Sequence, residues 1–166
     1  MNLNFDNDGV LADFDRHCKA MFGKYPNELE DVELWRLVNQ DREAFWSGIP
    51  VKDGAHELFE IGAPFNPTII TGCPRNGDIR TEICPVASEH KKKWVATHFG
   101  DHIKVITCFS RDKPLHMVQE GDLLVDDMYL NIKRWKKAGG RAIWYQNADQ
   151  AISDLKRKLE INNEKS

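Results

Sequence analysis

The sequence predicts an α/β fold, a doubly wound and mostly parallel five-stranded sheet carrying a small helical insertion. Three observations predict it. From Thr68 onward, short apolar runs alternate with helical patterns, the arrangement a parallel sheet needs because each strand is followed by a crossover. Several of these runs stop at a glycine or an acidic residue, and ligands bind at such strand ends in open α/β sheets. Residues 27–65, by contrast, carry helical patterns and the large aromatics Trp35, Phe45 and Trp46, but no strand.

Taken in order, Leu3-Asn4-Phe5 is a short strand that leads into Asp6-Asn7-Asp8-Gly9. Residues 13–24 read as a helix with Phe14, Cys18, Met21 and Phe22 on one face. Two short helical patterns follow at 30–38 and 41–46, then a helix over 54–61 entered from Pro50. This division makes 15–50 a small helical cap over the strand ends and 1–14 with 51–160 a Rossmann-like core. Residues 161–166 are left as a polar, flexible tail. In the second half, strands at 68–71, 103–107, 123–125 and 142–144 alternate with helices at 90–99, 115–119, 129–138 and 148–159. Gly72, Gly100 and Gly139-Gly140 supply stops, and right-handed crossovers bring the strand ends to one edge.

On a strand, side chains i and i+2 share a face, so Asp6 and Asp8 are expected to lean toward one point beyond the first strand. Two carboxylates that close repel unless a cation lies between them, and an all-oxygen site suits Mg²⁺. Gly9 lets the chain turn away from that point. Asn7-Asp8-Gly9 is also turn chemistry and alone fits a hairpin. Asn4, Asp6, Asp8, Gly9 and Asp15 fit the spacing of a calcium-binding helix–loop–helix, with Leu11 at its apolar position. That reading needs a helix before Asn4, where only three residues stand, and a Glu in place of Asp15.

Thr71 and Gly72 end the second strand, Lys113 follows the third, and Asp126-Asp127 end the fourth. Singly, each has a plain role: Thr71 as a β-favoured residue, Lys113 as a solvated loop charge, Asp127 as a helix N-cap. Their fall at successive strand ends along one edge makes them a candidate site.

Composition narrows the functional classes. A chain of 166 residues is long enough for one domain with a real core. Net charge of −3, with 41% hydrophobic and 30% charged residues, argues against a general nucleic-acid coat or a binder of anionic membranes. No apolar run reaches the length of a bilayer span, and Met1 leads straight into a strand. Cys18, Cys73, Cys84 and Cys108 are scattered with no CxxC pair, which points to reduced thiols and a cytoplasmic location.

Phe5-Asp6-Asn7-Asp8-Gly9-Val10-Leu11-Ala12-Asp13-Phe14 resembles the first motif of the haloacid dehalogenase-like (HAD) superfamily of phosphohydrolases. Its Val-Leu-Ala-Asp-Phe continuation is similar to the 5′(3′)-deoxyribonucleotidase family within it. Ile69-Ile70-Thr71, Arg111-Asp112-Lys113 and Leu123-Leu124-Val125-Asp126-Asp127 are similar to that family's later motifs, and Lys91 to Trp94 to its Lys…Trp helix start. Residues 72–90 depart from the family's lysine-bearing loop.

The resemblance implies an HAD-like core with a small cap. It also implies a Mg²⁺-dependent phosphomonoesterase acting on nucleoside 5′-monophosphates, deoxyribonucleotides above all, through an aspartyl-phosphate intermediate. Asp6 would then be the nucleophile and Asp8 the general acid and base. Mg²⁺ would be held by Asp6, the backbone carbonyl of Asp8 and Asp127, with Asp126 fixing Lys113 or a metal-bound water. Thr71, the amides from Gly72, and Lys113 or Lys91 would hold the phosphate. Phe14 matches a base-contacting residue of the family, and Trp35 and Trp46 match only by their place on the cap. The implied partner is a small nucleotide, with no membrane and no stable nucleic-acid partner; a homodimer is compatible with the sequence. Three alternatives stand beside this reading: the same machinery on another small phosphate ester or a nucleic-acid end, a receiver-type signalling domain, and a non-catalytic metal-binding protein.

Overall fold

The structure, a computed structural model, describes residues 1–77 and 79–163. In chain order its strands are β1 (Leu3–Phe5), β2 (Thr68–Gly72), β3 (Arg75–Asn76), β4 (Ile79–Ile83), β5 (Val105–Cys108), β6 (Leu123–Asp126) and β7 (Arg141–Trp144). Its helices are α1 (Phe14–Phe22), α2 (Asp31–Val38), α3 (Arg42–Gly48), α4 (Ala55–Gly62), α5 (Pro85–Phe99), α6 (Tyr129–Lys137) and α7 (Ala148–Asn163). Five strands form one parallel sheet in the order β5-β2-β1-β6-β7, the α/β class the alternating pattern predicts.

β1 is only three residues long but lies at the centre, pairing Asn4 with Thr68 on one side and Leu3 with Leu123 on the other. The chain proceeds from β1 to β2 on one flank and returns to β6 on the other. That reversal is a topological switch point, where the crossovers splay apart and leave a crevice at the strand ends. Asp6 stands at its mouth, its amide donating to the carbonyl of Val125 at 2.8 Å.

Alternation along the strands divides the core. Leu3, Phe5, Ile69, Leu123, Val125 and Ile143 face the larger layer with α4, α5 and α7. Ile70, Leu124 and Ala142 face the thinner layer with Ile132 and Trp135 of α6. Trp135 is fully buried and its indole donates to the carbonyl of Asp122 at 2.9 Å. A side chain at Gly140 would strike that ring at 2.2 Å, which explains a glycine there.

Several boundaries differ from expectation. The helix expected over 90–99 begins at Pro85, whose missing N–H costs nothing in a first turn. Residues 115–119 do not form the expected helix. The helical turn comes earlier, as a 3₁₀ segment over Ser110–His116, and the amides of Val118 and Gln119 are instead taken by the carboxylate of Asp122 at 3.0 and 3.1 Å. The segment 72–90 holds an unforeseen antiparallel hairpin, β3 and β4. α7 runs on to Asn163, through the first residues expected as tail, and 164–166 lie outside the described residues. Among the described residues no helix is long and apolar enough to cross a membrane.

Helices α1–α3 leave and rejoin the rest of the chain at one place. Asp13 donates its amide to Pro50 at 2.9 Å, and Lys52 donates to Leu11 at 2.8 Å. Between these bonds the helices close around Phe45, whose ring lies 4.9 to 5.6 Å from those of His17, Phe14, Phe22 and Trp46. Trp94 of α5 ties this unit down by donating to the carbonyl of Ile49 at 2.8 Å.

Asp122 knits the N-terminus to the sheet, accepting from the Asn2 amide at 2.6 Å as well as from Val118 and Gln119. Burial pushes its carboxyl up, but the bonds from Asn2, Gln119 and Val118 outweigh burial and hold it below the usual value. Its stabilisation is therefore present above the ordinary carboxylate range and lost as pH falls through the lowered value. Asp122→Ala should lose about 2–4 kcal/mol in urea unfolding at pH 7, from several charge-assisted bonds. The gap between wild type and variant should narrow below about pH 4.

Candidate active site

The described part of the site is built on the ends of β1, β2 and β6, the start of α5 and the turn after β5. β1 ends at Phe5, so Asp6 and Asp8 lie in a loop, not on a strand. The carbonyl of Asn7 accepts from Val10, Leu11 and Ala12, and this curl replaces the strand's alternation of faces. Among the described residues, the carboxylates grouped closely enough to share one cation are Asp6, Asp126 and Asp127, without Asp8. Asp6 turns to Lys113, while Asp8 turns to Lys91.

Lys113 is 1% exposed and sits between two carboxylates. Its Nζ is 2.8 Å from Asp6 Oδ1 and 2.6 Å from Asp126 Oδ2. Burial opposes its charge, but Asp6 and Asp126 outweigh burial and raise its pKa. Asp6 is raised well above the usual carboxylate value, first by burial and then by Asp126, Asp127 and Asp8, with Lys113 pulling the other way. Asp127 is pushed up to about 6 by burial and by Asp126.

Asp126 is fully buried, and both its oxygens are engaged. Oδ2 accepts from Lys113 and, at 3.1 Å, from Asn131; Oδ1 accepts from the Met128 amide at 2.8 Å. Asn131 also donates to Ser110 Oγ at 3.0 Å, bracing the turn that carries Lys113. Sequence reasoning did not single out Asn131; its place one turn into α6, after Asp126-Asp127, was the available signal. Asp127 is not the side-chain cap of α6, whose capping position is Met128. Its carboxylate lies against Gly9, where an added Cβ would meet Oδ2 at 2.2 Å. Gly9 also has φ of 83°, so both space and backbone demand glycine.

The second arm is Lys91 from α5, 3% exposed, which contacts Asp8 and donates to Thr71 Oγ1 at 3.3 Å. Thr71 is fully buried at the end of β2, and Gly72 follows it with Ser110 packed where a side chain would project. Both candidate lysines thus reach the site, one on each acidic residue of the first loop.

One oxygen each of Asp6, Asp126 and Asp127 lie within 4.8 Å of one another. Asp8 Oδ1 and Asn7 Oδ1 are buried without a hydrogen-bond partner among the described residues. An all-oxygen donor set with orphaned acceptors beside it fits a hard cation such as Mg²⁺.

The expected cap aromatics separate. Trp35 is half-buried and Trp46 buried, and both line a cleft of about 1350 Å³ that passes Cys73 and Pro74, just beyond Thr71-Gly72. The Lys91 ammonium lies 5.4 Å from the centre of the Trp46 ring. Phe14 packs against Trp35, Phe45 and Trp46 at 5.5 to 6.5 Å and is not among the residues lining the cleft.

No protein-family model matches the chain, and no curated protein matches it by sequence. Solved structures do match in fold. A HAD-superfamily hydrolase from Ehrlichia chaffeensis is 15% identical with a TM-score of 0.53, the match covering 95% of this chain and 97% of the other. A hydrolase from Streptococcus pneumoniae TIGR4 is 13% identical with a TM-score of 0.50, covering 96% and 97%. The chain therefore has the fold seen in HAD-superfamily hydrolases.

Removing Lys113 leaves two buried carboxylates facing each other without their cation. Breaking a buried ion pair from one side costs about 3–5 kcal/mol. Lys113→Met should show a loss of about that size in urea unfolding at pH 7.

Proposed function

We propose that this protein is a Mg²⁺-dependent phosphomonoesterase of the HAD type, acting on nucleoside 5′-monophosphates through an aspartyl phosphate on Asp6. The observation that carries the reading is the buried Asp6 at the switch point, held by Lys113 at 2.8 Å beside Asp126 and Asp127, together with the joined set of Asp8, Lys91 and Thr71. The first-loop motif, its similarity to the deoxyribonucleotidase family and the fold shared with HAD-superfamily hydrolases support it.

In this reading an oxygen of Asp6 attacks phosphorus in line with the ester bond, which breaks as the new P–O bond forms. Asp8 donates its proton to the departing alcohol oxygen. It then takes a proton from water as that water attacks the phosphoryl group, releasing inorganic phosphate and restoring the Asp6 carboxylate. Lys91 orients Asp8 and Thr71. Lys113 offsets charge on Asp6 and on the equatorial phosphoryl oxygens, which the Thr71 hydroxyl and the amides from Gly72 also receive. Asp126 positions Lys113. Mg²⁺ would be held by Asp6, Asp127 and the backbone carbonyl of Asp8, and when bound it neutralises charge on the attacking and phosphoryl oxygens.

Phosphate release from a panel of nucleoside monophosphates, sugar phosphates and phosphorylated oligonucleotides, with Mg²⁺ and with chelator, tests the reading. Release with Mg²⁺ that is highest on mononucleotides and lost with chelator is expected; equal release in chelator overturns it. Asp6→Asn should stay folded by circular dichroism and lose on the order of 10⁴-fold or more in kcat, as loss of a covalent nucleophile does.

Base selection falls to the cleft. Stacking on an aromatic ring is worth about 1–3 kcal/mol per base, so Trp35→Ala should lower kcat/KM for a nucleotide roughly 5- to 150-fold. p-Nitrophenyl phosphate should lose much less, and equal losses on both would make Trp35 a packing residue.

A further inference from the structure

The wall of the cleft is rich in one side chain. Arg36 of α2, Arg42 of α3, Arg75 of β3, Arg111 of the turn after β5 and Arg134 of α6 all line it. The chain has nine arginines and fourteen lysines, yet the lining takes five arginines and, among the described residues, no lysine. Asp31 is the lone carboxylate of the lining among those residues. A protein of net charge −3 therefore gathers positive charge at one place, from five elements spread between residues 36 and 134.

Gathering like charges is unfavourable unless an anion offsets them. Among the described residues, few contacts do so. Arg111 has Asp112 at 3.7 Å, and Arg42 Nε donates to Asn39 at 2.8 Å. The residue type is also informative. A guanidinium presents a planar fork that binds two oxygens of a phosphate or carboxylate at once, whereas an ammonium acts as a point charge. The scissile phosphate already has Lys113, Thr71 and the amides from Gly72, so the arginines are surplus to a single phosphate. Trp35 and Trp46 line the same cleft, and its volume of about 1350 Å³ exceeds the roughly 300–1,000 Å³ common for small-ligand pockets.

Building on the phosphomonoesterase reading, we propose that the substrate is a nucleoside bisphosphate. One phosphate is hydrolysed at Asp6, and the arginines hold the second, which is not cleaved. The nucleoside lies along Trp35 between them. Water is consumed, one ester P–O bond breaks, and a nucleoside monophosphate and inorganic phosphate leave. A polynucleotide end carries the same chemistry, but it would call for a basic track across the surface, and the net charge of −3 speaks against one.

The test compares kcat/KM for adenosine 5′-monophosphate, adenosine 3′,5′-bisphosphate and a 5′-phosphorylated tetranucleotide. It is run on wild type and on the triple variant Arg36→Gln, Arg75→Gln, Arg111→Gln, all exposed positions whose replacement spares the core. Wild type should prefer the bisphosphate over the monophosphate by roughly tenfold or more, the size of charge-assisted phosphate contacts, and the triple variant should lose that preference. Equal use of both by wild type, or an unchanged preference in the variant, overturns the proposal. A preference for the tetranucleotide over the bisphosphate reassigns the arginines to a nucleic-acid backbone and likewise overturns it. Calorimetric binding of the two adenosine nucleotides to Asp6→Asn reads the site without turnover. If no ester is hydrolysed but the bisphosphate binds roughly tenfold tighter, the phosphatase reading fails and the anion site stands. Equal binding of the two nucleotides removes the anion site.

Discussion

The structure turns on one buried cation. Lys113 has almost no exposure, and its ammonium is held between Asp6 and Asp126, themselves 5% and 0% exposed. Removing these three charges from water is costly, and only close mutual contact with further hydrogen bonds offsets it. The fold supplies those bonds from separate elements. Asn131 of α6 reaches Asp126 and Ser110, the Met128 amide reaches Asp126, and the Asn7 amide reaches Asp6 Oδ1 at 2.8 Å. The ends of β1 and β6, the first turn of α6 and the turn after β5 are thereby held in one arrangement.

That arrangement decides how the two acidic residues of the first loop differ. Asp6 is buried against Lys113, which holds its carboxylate in place. Asp8 lies on the more open side of the loop and meets Lys91, which comes from α5 and also touches Thr71. Lys91 of α5 and Lys113 of the turn after β5 therefore give two neighbouring aspartates different surroundings.

Above the strand ends, α1–α3 form a unit closed on its own aromatic centre and fastened where Leu11 and Asp13 meet Lys52 and Pro50. The cleft lies between this unit, the β3–β4 hairpin and the 110–116 turn. Its walls thus combine the helical insertion with residues from the 72–90 segment. Under the proposed function, these walls and not the strand ends would discriminate among phosphate esters.

What the sequence determined by itself was local or periodic. The alternation of apolar runs and helical patterns specifies a parallel sheet, and residues at its strand ends, Asp6, Thr71 and Asp126-Asp127, are legible because strand ends are legible. The two-face division of the core follows from period-2 alternation at Ile69-Ile70 and Leu123-Leu124-Val125. Besides the β3–β4 hairpin and Asn131, three things escaped. The curl of residues 7–12 gives Asp8 a different partner from Asp6, because the carbonyl of Asn7 captures three amides and ends the strand's alternation. The helical turn expected over 115–119 forms instead over 110–116, where it carries Lys113, because Asp122, itself positioned by β6, takes the amides of Val118 and Gln119. The arginine-lined cleft has no sequence signature at all, since its five members stand on five elements and meet only when the insertion and hairpin close over the sheet. Only the tertiary structure decided the cleft, because it depends on contacts between residues far apart in the chain, whereas the curl and the turn rest on short-range bonds whose capturing groups, the Asn7 carbonyl and the Asp122 carboxylate, no periodic pattern singles out.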